Sequence, residues 1–161
     1  MRKTLETVAL AGLAVMYWIA YSAVYGPTPL PNRVPTHFGI TGQPNAWGSP
    51  SGMFLLPAIG TAVYLILSLV ALFPSTFNYP ARVTPQNRPR LEALVRQLLA
   101  WIKVDMVCLF AWIQWSILEG MRQGYMNPPR LLMPIFLVVV LGTTIGYVVA
   151  MILAGRPGSS S

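Results

Sequence analysis

The stretch from Leu131 to Ala154 reads LLMPIFLVVVLGTTIGYVVAMILA and contains no charged residue. A helix needs about 20 apolar residues to cross the roughly 30 Å hydrocarbon core of a bilayer. This stretch therefore predicts a membrane span over residues 131–154. Three further apolar stretches predict spans over about residues 5–25, 53–73 and 98–118. Together they predict an all-α membrane protein, a four-transmembrane-helix bundle that forms one domain over residues 1–154.

The composition agrees with a membrane protein. Of 161 residues, 55% are hydrophobic and 9% are charged, whereas a soluble domain carries about 25% charged residues. A soluble domain of this size buries only about 70% of its unfolded surface, so it could not hide this much apolar area. The composition excludes an ordinary soluble domain and a disordered chain. The single cysteine, Cys108, excludes an intramolecular disulfide. Membrane lipid is the expected surrounding partner.

The formal net charge is +7, but the basic residues flank apolar stretches and do not form the patch that a nucleic-acid footprint requires. We therefore expect no nucleic-acid partner. Loops on the cytoplasmic side carry an excess of Lys and Arg. With a cytoplasmic N-terminus, seven basic residues lie inside and three lie outside: Arg2, Lys3, Arg82, Arg88, Arg90, Arg96 and Arg156 against Arg33, Arg122 and Arg130. This predicts a multi-pass protein of the bacterial inner membrane with both termini cytoplasmic.

The third helix is predicted to begin before its membrane span. Asn87 is suited to an N-cap and Pro89 to a first helical turn. A helix over residues 88–118 is about 46 Å long and exceeds the hydrocarbon thickness, so its first turns are expected in the cytoplasm. Glu92 and Arg96 stand four residues apart and are expected to pair. The Gly/Ser-rich tail at residues 155–161 is predicted to be disordered.

The segment between the first two spans, residues 26–52, reads GPTPLPNRVPTHFGITGQPNAWGSPSG. Its six prolines remove backbone donors and disfavour long helices and central strands. We expect a compact extracytoplasmic cap that folds over the ends of the helices, with Phe38 and Trp47 buried against them. Glu119, at the outer end of the third helix, is then expected within hydrogen-bond reach of Arg33 or His37, directly or through one water.

Two stretches resemble a known family. LPNRVPTHFGITGQPNAWGS at residues 30–49 and FNYPARVTPQNRPRLEALVRQLLAWIK at residues 77–103 are similar to a short bacterial membrane domain of unknown function. That domain also forms the N-terminal part of the Sdp immunity proteins, which protect cells from a toxic peptide. The resemblance covers about residues 5–120. It implies a non-enzymatic membrane domain that binds a ligand or partner at its extracytoplasmic face.

His37 is the only histidine. It is a candidate metal ligand, proton-transfer group or peptide contact, or a structural residue that hydrogen-bonds the loop backbone. A zinc site needs three or four ligands, and the outer loops offer only His37 and Glu119. We therefore predict no metal and no cofactor. The predicted ligand or partner surface consists of Arg33, His37, Phe38, Trp47 and Glu119.

Asp105 lies within a predicted span, where an ionisable residue indicates a functional site by default. At similar depth, the neighbouring spans offer four hydroxyl groups that could hydrogen-bond its carboxyl group: Tyr64, Ser68, Thr143 and Tyr147. The carboxyl is either a proton or cation site or a structural bond that fixes helix register. Lys103, two residues away, is expected on the opposite helix face with its amine at the cytoplasmic interface.

No catalytic or phosphate-binding motif occurs in the chain, and we predict no enzyme. One alternative function is an accessory subunit of a larger membrane complex, packed through Trp101, Trp112 and Trp115. Another is a proton-coupled carrier that uses Asp105 and Glu119. Gly142 and Gly146 form a small-residue pair that lets helix backbones approach closely, either within the protein or in a homodimer.

Overall fold

The computed structural model describes residues 1–126 and 131–156. The predicted outside residue Arg130 and most of the predicted disordered tail, residues 157–161, lie outside the described residues. The elements are α1 (Arg2–Tyr25), β1 (Val34–Phe38), β2 (Pro44–Gly48), α2 (Leu55–Val70), α3 (Arg88–Gln123) and α4 (Leu132–Ala154). Short 3-10 helices at Pro50–Phe54 and Pro74–Thr76 precede and follow α2.

Within the described residues, three helical segments are long and apolar enough to cross a membrane. They are Arg2–Tyr25, Pro50–Val70 and Leu132–Ala154, with mean hydropathies of 1.7, 2.2 and 2.5. These segments indicate a multi-pass membrane protein. Helix α3, the predicted site of a span over residues 98–118, is not among the three, and Lys103, Asp105 and Gln114 interrupt its apolar sequence.

Helix α3 is the central helix. It packs against α1, α2 and α4, and its contact with α1 is close because small residues of α1 face it. A Cβ atom added to Gly12 would lie 2.5 Å from Val107 Cγ1, and Ala9 is fully buried in the same cluster. Inside a bilayer the hydrophobic effect does not drive helices together, so association depends on van der Waals packing, which such a close approach increases.

Both ends of α3 follow from local sequence. The helix begins at Arg88 after Asn87, as predicted, although the Asn87 side chain accepts a bond from Thr84 N and does not bond the helix. Glu92 lies 4.0 Å from Arg88, so the predicted pair with Arg96 is wrong. The helix continues to Gln123 and ends at Gly124, whose φ of 68° suits glycine. Its 36 residues span about 54 Å.

Residues 34–48 form an antiparallel hairpin, β1–β2, although prolines disfavour strands. A two-stranded sheet tolerates Pro35 and Pro44 because each strand has an outer edge that needs no partner. The turn places Gly42 at φ 81°, and the Gly42 carbonyl accepts a bond from Met126 N at 3.0 Å. This bond connects the hairpin to the segment after α3.

The chain runs up and down, so the helices have two ends. The hairpin end carries the last turn of α1, the start of α2, the last turn of α3 and the start of α4. The termini end carries the opposite ends of these helices. Each end has its own cluster of buried apolar residues: Ala20, Ala23, Val34, Met53 and Leu118 at the hairpin end, and Leu91, Val95, Leu99, Met151 and Ala154 at the termini end.

Candidate functional site

An open cavity of about 410 Å³ lies between the hairpin, α3 and the start of α4. We call it the hairpin-end cavity. Most of its described lining is apolar, and polar side chains come only from Thr36, His37 and Ser116. The other lining residues are Phe38, Ile113, Ile117, Met126, Leu132 and Met133. An apolar cleft with few polar groups is the usual form of a ligand site. Its chemistry suits an apolar group that makes one or two hydrogen bonds.

Two glycines allow the hairpin to dock on α3. A Cβ atom on Gly120 would lie 3.0 Å from Phe38 Cζ, so the Phe38 ring rests where a side chain would otherwise stand. A Cβ atom on Gly42 would lie 2.2 Å from Met126 O. These contacts fix the hairpin over the end of α3 and so define the cavity wall.

His37 connects the two strands. Its Nδ1 forms a hydrogen bond with the side-chain oxygen of Asn45 on β2. The structural alternative in the sequence predicted a bond to loop backbone, and the observed partner is a side chain instead. His37 also lines the hairpin-end cavity. The same side chain therefore connects the two strands that form the cavity wall and is available to a ligand in the cavity.

The predicted direct bond of Glu119 with Arg33 or His37 is not formed, and the alternative through one water stays a prediction. Glu119 Oε1 lies 3.5 Å from Arg122 Nη1, and Glu119 Oε2 accepts a bond from Gln123 Nε2 at 3.2 Å. Side chains three or four residues apart on one helix are already neighbours, so Glu119 pairs with them in preference to groups on the hairpin. Arg33 lies instead beside Trp47, where the two line a separate shallow depression.

The five residues of the predicted ligand surface therefore divide into three places. His37 and Phe38 line the hairpin-end cavity. Arg33 and Trp47 line the depression described above. Trp47 is 52% exposed, so the expectation that it is buried against the helix ends is wrong. Glu119 borders a third, smaller cavity with Trp112 and Trp115.

Gln114 was not predicted. It is 1% exposed, and its Nε2 donates to Met16 O at 2.9 Å and to Met53 O at 3.4 Å. It thereby joins α3 to α1 and to the 3-10 helix before α2, close beneath the hairpin. A lone amide in an apolar stretch was the available signal, because a buried amide needs hydrogen-bond partners.

The most tightly paired charged group lies near the termini end. Lys103 is 2% exposed, and its Nζ donates to Glu6 Oε1 at 2.8 Å and to Oε2 at 3.1 Å. The Tyr64 hydroxyl donates to Glu6 Oε2 at 2.8 Å, and Lys103 Nζ lies 4.7 Å from the centre of the Tyr64 ring. The Lys103 amine, which the sequence predicted at the cytoplasmic interface, is buried in protein and bonded to Glu6. The signal was present: Glu6 and Lys103 stand near the same end of their predicted spans.

Asp105 is buried inside the bundle, but the predicted bond of its carboxyl to a neighbouring hydroxyl group is not formed at Oδ2. Its Oδ2 is buried without a hydrogen-bond partner. The Tyr64 hydroxyl bonds to Glu6 and Ser68 Oγ donates to Tyr64 O, while neither Thr143 nor Tyr147 of α4 bonds to Asp105 Oδ2. Asp105 and Lys103 lie on different faces of α3, yet both are buried, because other helices cover α3 on more than one side.

Gly142 and Gly146 lie on an exposed face of α4. A Cβ atom added to either would meet nothing within 4 Å. The alternative in which they pack inside the protein is therefore wrong, and their role in a homodimer stays a prediction. Among residues 1–126 and 131–156, no three His, Cys, Asp or Glu side chains come together as a metal site.

Residues 9–61 match the family model of a domain of unknown function, DUF1648. The matched segment contains most of α1, the hairpin and the start of α2. An uncharacterized protein of Archaeoglobus fulgidus is 35% identical over 85 residues, which cover 48% of this chain and 43% of that protein. The chain thus spans less than half of that relative's length. No solved structure matches the chain.

Proposed function

We propose that the chain is a non-enzymatic integral membrane protein that binds a ligand or partner at its extracytoplasmic face through the hairpin-end cavity. The observation that carries this proposal is the cavity itself, about 410 Å³ in volume, with an apolar lining and the exposed His37 ring at its wall. The match to a domain of unknown function includes the hairpin that forms this wall.

In this proposal α3 is a fourth membrane span. Helices α1, α2 and α4 pack around it, so its polar side chains point into protein and not into lipid. Lys103 is paired with Glu6, and Gln114 Nε2 donates to backbone oxygens, which lowers the cost of placing these two groups at membrane depth. Gln114 Oε1 and Asp105 Oδ2 are buried without a partner, so part of that cost remains. The result is a four-helix bundle whose central member is the least apolar one.

The basic residues support the orientation. Arg2, Lys3 and Arg96 lie at the termini end, and Lys and Arg concentrate on the cytoplasmic side of membrane proteins. The hairpin end then faces outward, where an apolar segment of a peptide or of another membrane protein can enter the cavity. The resemblance to the Sdp immunity domains favours a peptide as the occupant.

Photo-crosslinking tests the proposal. A photoreactive phenylalanine analogue at Thr36, at the cavity wall, is expected to give a discrete adduct in native membranes. Ile113→Trp fills the cavity and should abolish that adduct. Val138→Trp adds the same bulk on the lipid side of α4, where Val138 is 71% exposed, and should leave it intact. No adduct at Thr36, or one that survives Ile113→Trp, would contradict binding in the cavity.

A second function, an accessory subunit of a larger complex, is favoured by one observation. Trp112 and Trp115 of the central helix are 49% and 50% exposed and flank a small cavity beside Glu119. Large exposed aromatic residues are typical of protein interfaces. The same analogue at Trp115 separates the two functions: an integral protein crosslinked there, and none at Thr36, would replace the first proposal with the second.

A further inference from the structure

A second open cavity, of about 480 Å³, lies at the termini end between α1, α2 and α3. We call it the termini-end cavity. Its charged lining comes from the start of α1 and from α3, and consists of Arg2, Lys3, Glu6, Arg96 and Lys103. The charged lining thus contains four basic residues and one carboxylate, that of Glu6. The termini-end cavity is therefore a positively charged recess between helices.

The positive charge is largely uncompensated. Glu6 and Lys103 neutralise each other at 2.8 Å. Within residues 1–126 and 131–156, Arg2, Lys3 and Arg96 form no carboxylate ion pair closer than 4 Å. Arg2 and Lys3 are exposed and Arg96 is half-buried. Three cations thus face one recess, and an anion that enters it meets no competing carboxylate except Glu6.

The other side of the recess is apolar. Ala71 and Leu72, which follow α2, line the same cavity, and Leu72 is 67% exposed. An apolar rim beside a cationic recess, at the end of membrane-spanning helices, matches an amphiphile whose acyl chains lie along the helices and whose anionic group enters the recess. Basic pockets between transmembrane helices on the cytoplasmic side bind anionic lipid headgroups.

We infer that the termini-end cavity binds the phosphate group of an anionic phospholipid. Arg2, Lys3 and Arg96 supply the charge, and Leu72 contacts the acyl chains. Glu6 holds the Lys103 amine, so the three outer cations remain for the phosphate. This site is independent of the hairpin-end cavity and of any ligand there.

The test uses the full chain purified in a neutral detergent. Melting temperature is followed while phosphatidylglycerol, phosphatidylcholine or inorganic phosphate is added at equal phosphate concentration, since a ligand that binds the folded state raises the melting temperature. We expect stabilisation by phosphatidylglycerol alone. Inorganic phosphate with an equal effect would indicate a free-anion site and overturn the lipid assignment. Phosphatidylcholine with an equal effect would overturn the requirement for an anionic headgroup.

A pair of double variants shows whether the recess is the site. A basic residue near an anionic membrane surface contributes about fivefold in affinity, so Arg2→Gln with Arg96→Gln should weaken phosphatidylglycerol binding about 25-fold. The control, Arg82→Gln with Arg88→Gln, removes the same charge outside the cavity and should change the affinity less than twofold. Equal losses in both variants would overturn the site. If the first variant does not fold, Lys3→Gln alone, at an exposed position, should weaken binding about fivefold, and an unchanged affinity would overturn the inference.

Discussion

The hairpin end and the termini end of this protein use polar side chains in different ways. At the hairpin end His37 bonds to Asn45, eight residues along the chain, and the described cavity lining contains no Asp, Glu, Lys or Arg. At the termini end Lys103 pairs with Glu6, 97 residues away, beside a recess lined by further cations. Both ends join distant segments, since Gln114 near the hairpin end bonds to Met16 of α1, but only the termini end does so with a pair of opposite charges.

This comparison predicts that changes to the ion pair act on the whole fold. Glu6→Gln leaves Lys103 charged and 2% exposed, and removal of one partner of a buried pair costs about 3–5 kcal/mol in free energy of unfolding. Lys103→Met should cost less, about 1–2 kcal/mol, because the Glu6 side chain is 28% exposed and can reach water. Titration with a denaturing detergent in mixed micelles measures both values.

The double variant Glu6→Leu with Lys103→Met is the control for that experiment. It removes both charges, and apolar replacement of a buried pair is often neutral, so it should recover most of the stability lost in Glu6→Gln. Equal, small losses in the two single variants would mean that Lys103 reaches water, and the contrast between the ends would fail.

At the hairpin end we expect a smaller effect that depends on docking. Gly42 and Gly124 both have positive φ, but only Gly42 faces other atoms, with Met126 O at 2.2 Å from an added Cβ. Gly124→Ala should cost about 1 kcal/mol from backbone strain. Gly42→Ala should cost about 2–3 kcal/mol, since overpacking adds to the strain.

Limited proteolysis around Ile40 gives the second readout for these variants. Gly42→Ala should expose the hairpin to cleavage, and Gly124→Ala should not, because nothing packs within 4 Å of its Cβ position. Identical stability and cleavage for the two variants would show that the hairpin does not depend on its contact with Met126.

The smallest effect is expected at Asp105, whose Oδ2 is buried without a partner. Asp105→Leu removes an unsatisfied polar group and should raise the free energy of unfolding by about 1 kcal/mol. Asp105→Asn keeps a polar group at the same place and should bring no gain. A thermal melt in detergent compares them, and a Leu variant that melts below wild type would indicate a partner for the carboxyl.

Apolar runs predicted much of the helical structure. Helix α4 begins one residue after the predicted Leu131, and α3 begins at Arg88 as its capping sequence indicates. The second span was predicted to residue 73, but α2 ends at Val70 because the chain turns into the 3-10 helix at Pro74. The sequence did not predict the hairpin because its prolines indicated an irregular loop. Proline is also tolerated in edge strands, so its presence does not distinguish an edge strand from a loop.

The candidate sites were predicted less well, for a physical reason. Helical spacing divides a helix into an inner and an outer face, but α3 is covered on several sides, so Lys103 and Asp105 are both buried. Glu119 pairs with Arg122 of the same helix, and this contact forms without any packing between distant segments. Contacts between distant segments, such as Glu6 with Lys103, depend on how the helices rotate about their axes, and a single sequence does not specify that rotation.

The central claim is that the two ends face opposite sides of the membrane, with the hairpin outside. Cysteine labelling tests it in a Cys108→Ala background, with Thr41→Cys in the hairpin turn and Gln86→Cys before α3, both at exposed positions. A membrane-impermeant maleimide should label Thr41→Cys in intact cells and Gln86→Cys only after the membrane is permeabilised. Labelling of Gln86→Cys in intact cells, with Thr41→Cys protected until permeabilisation, would contradict the claim.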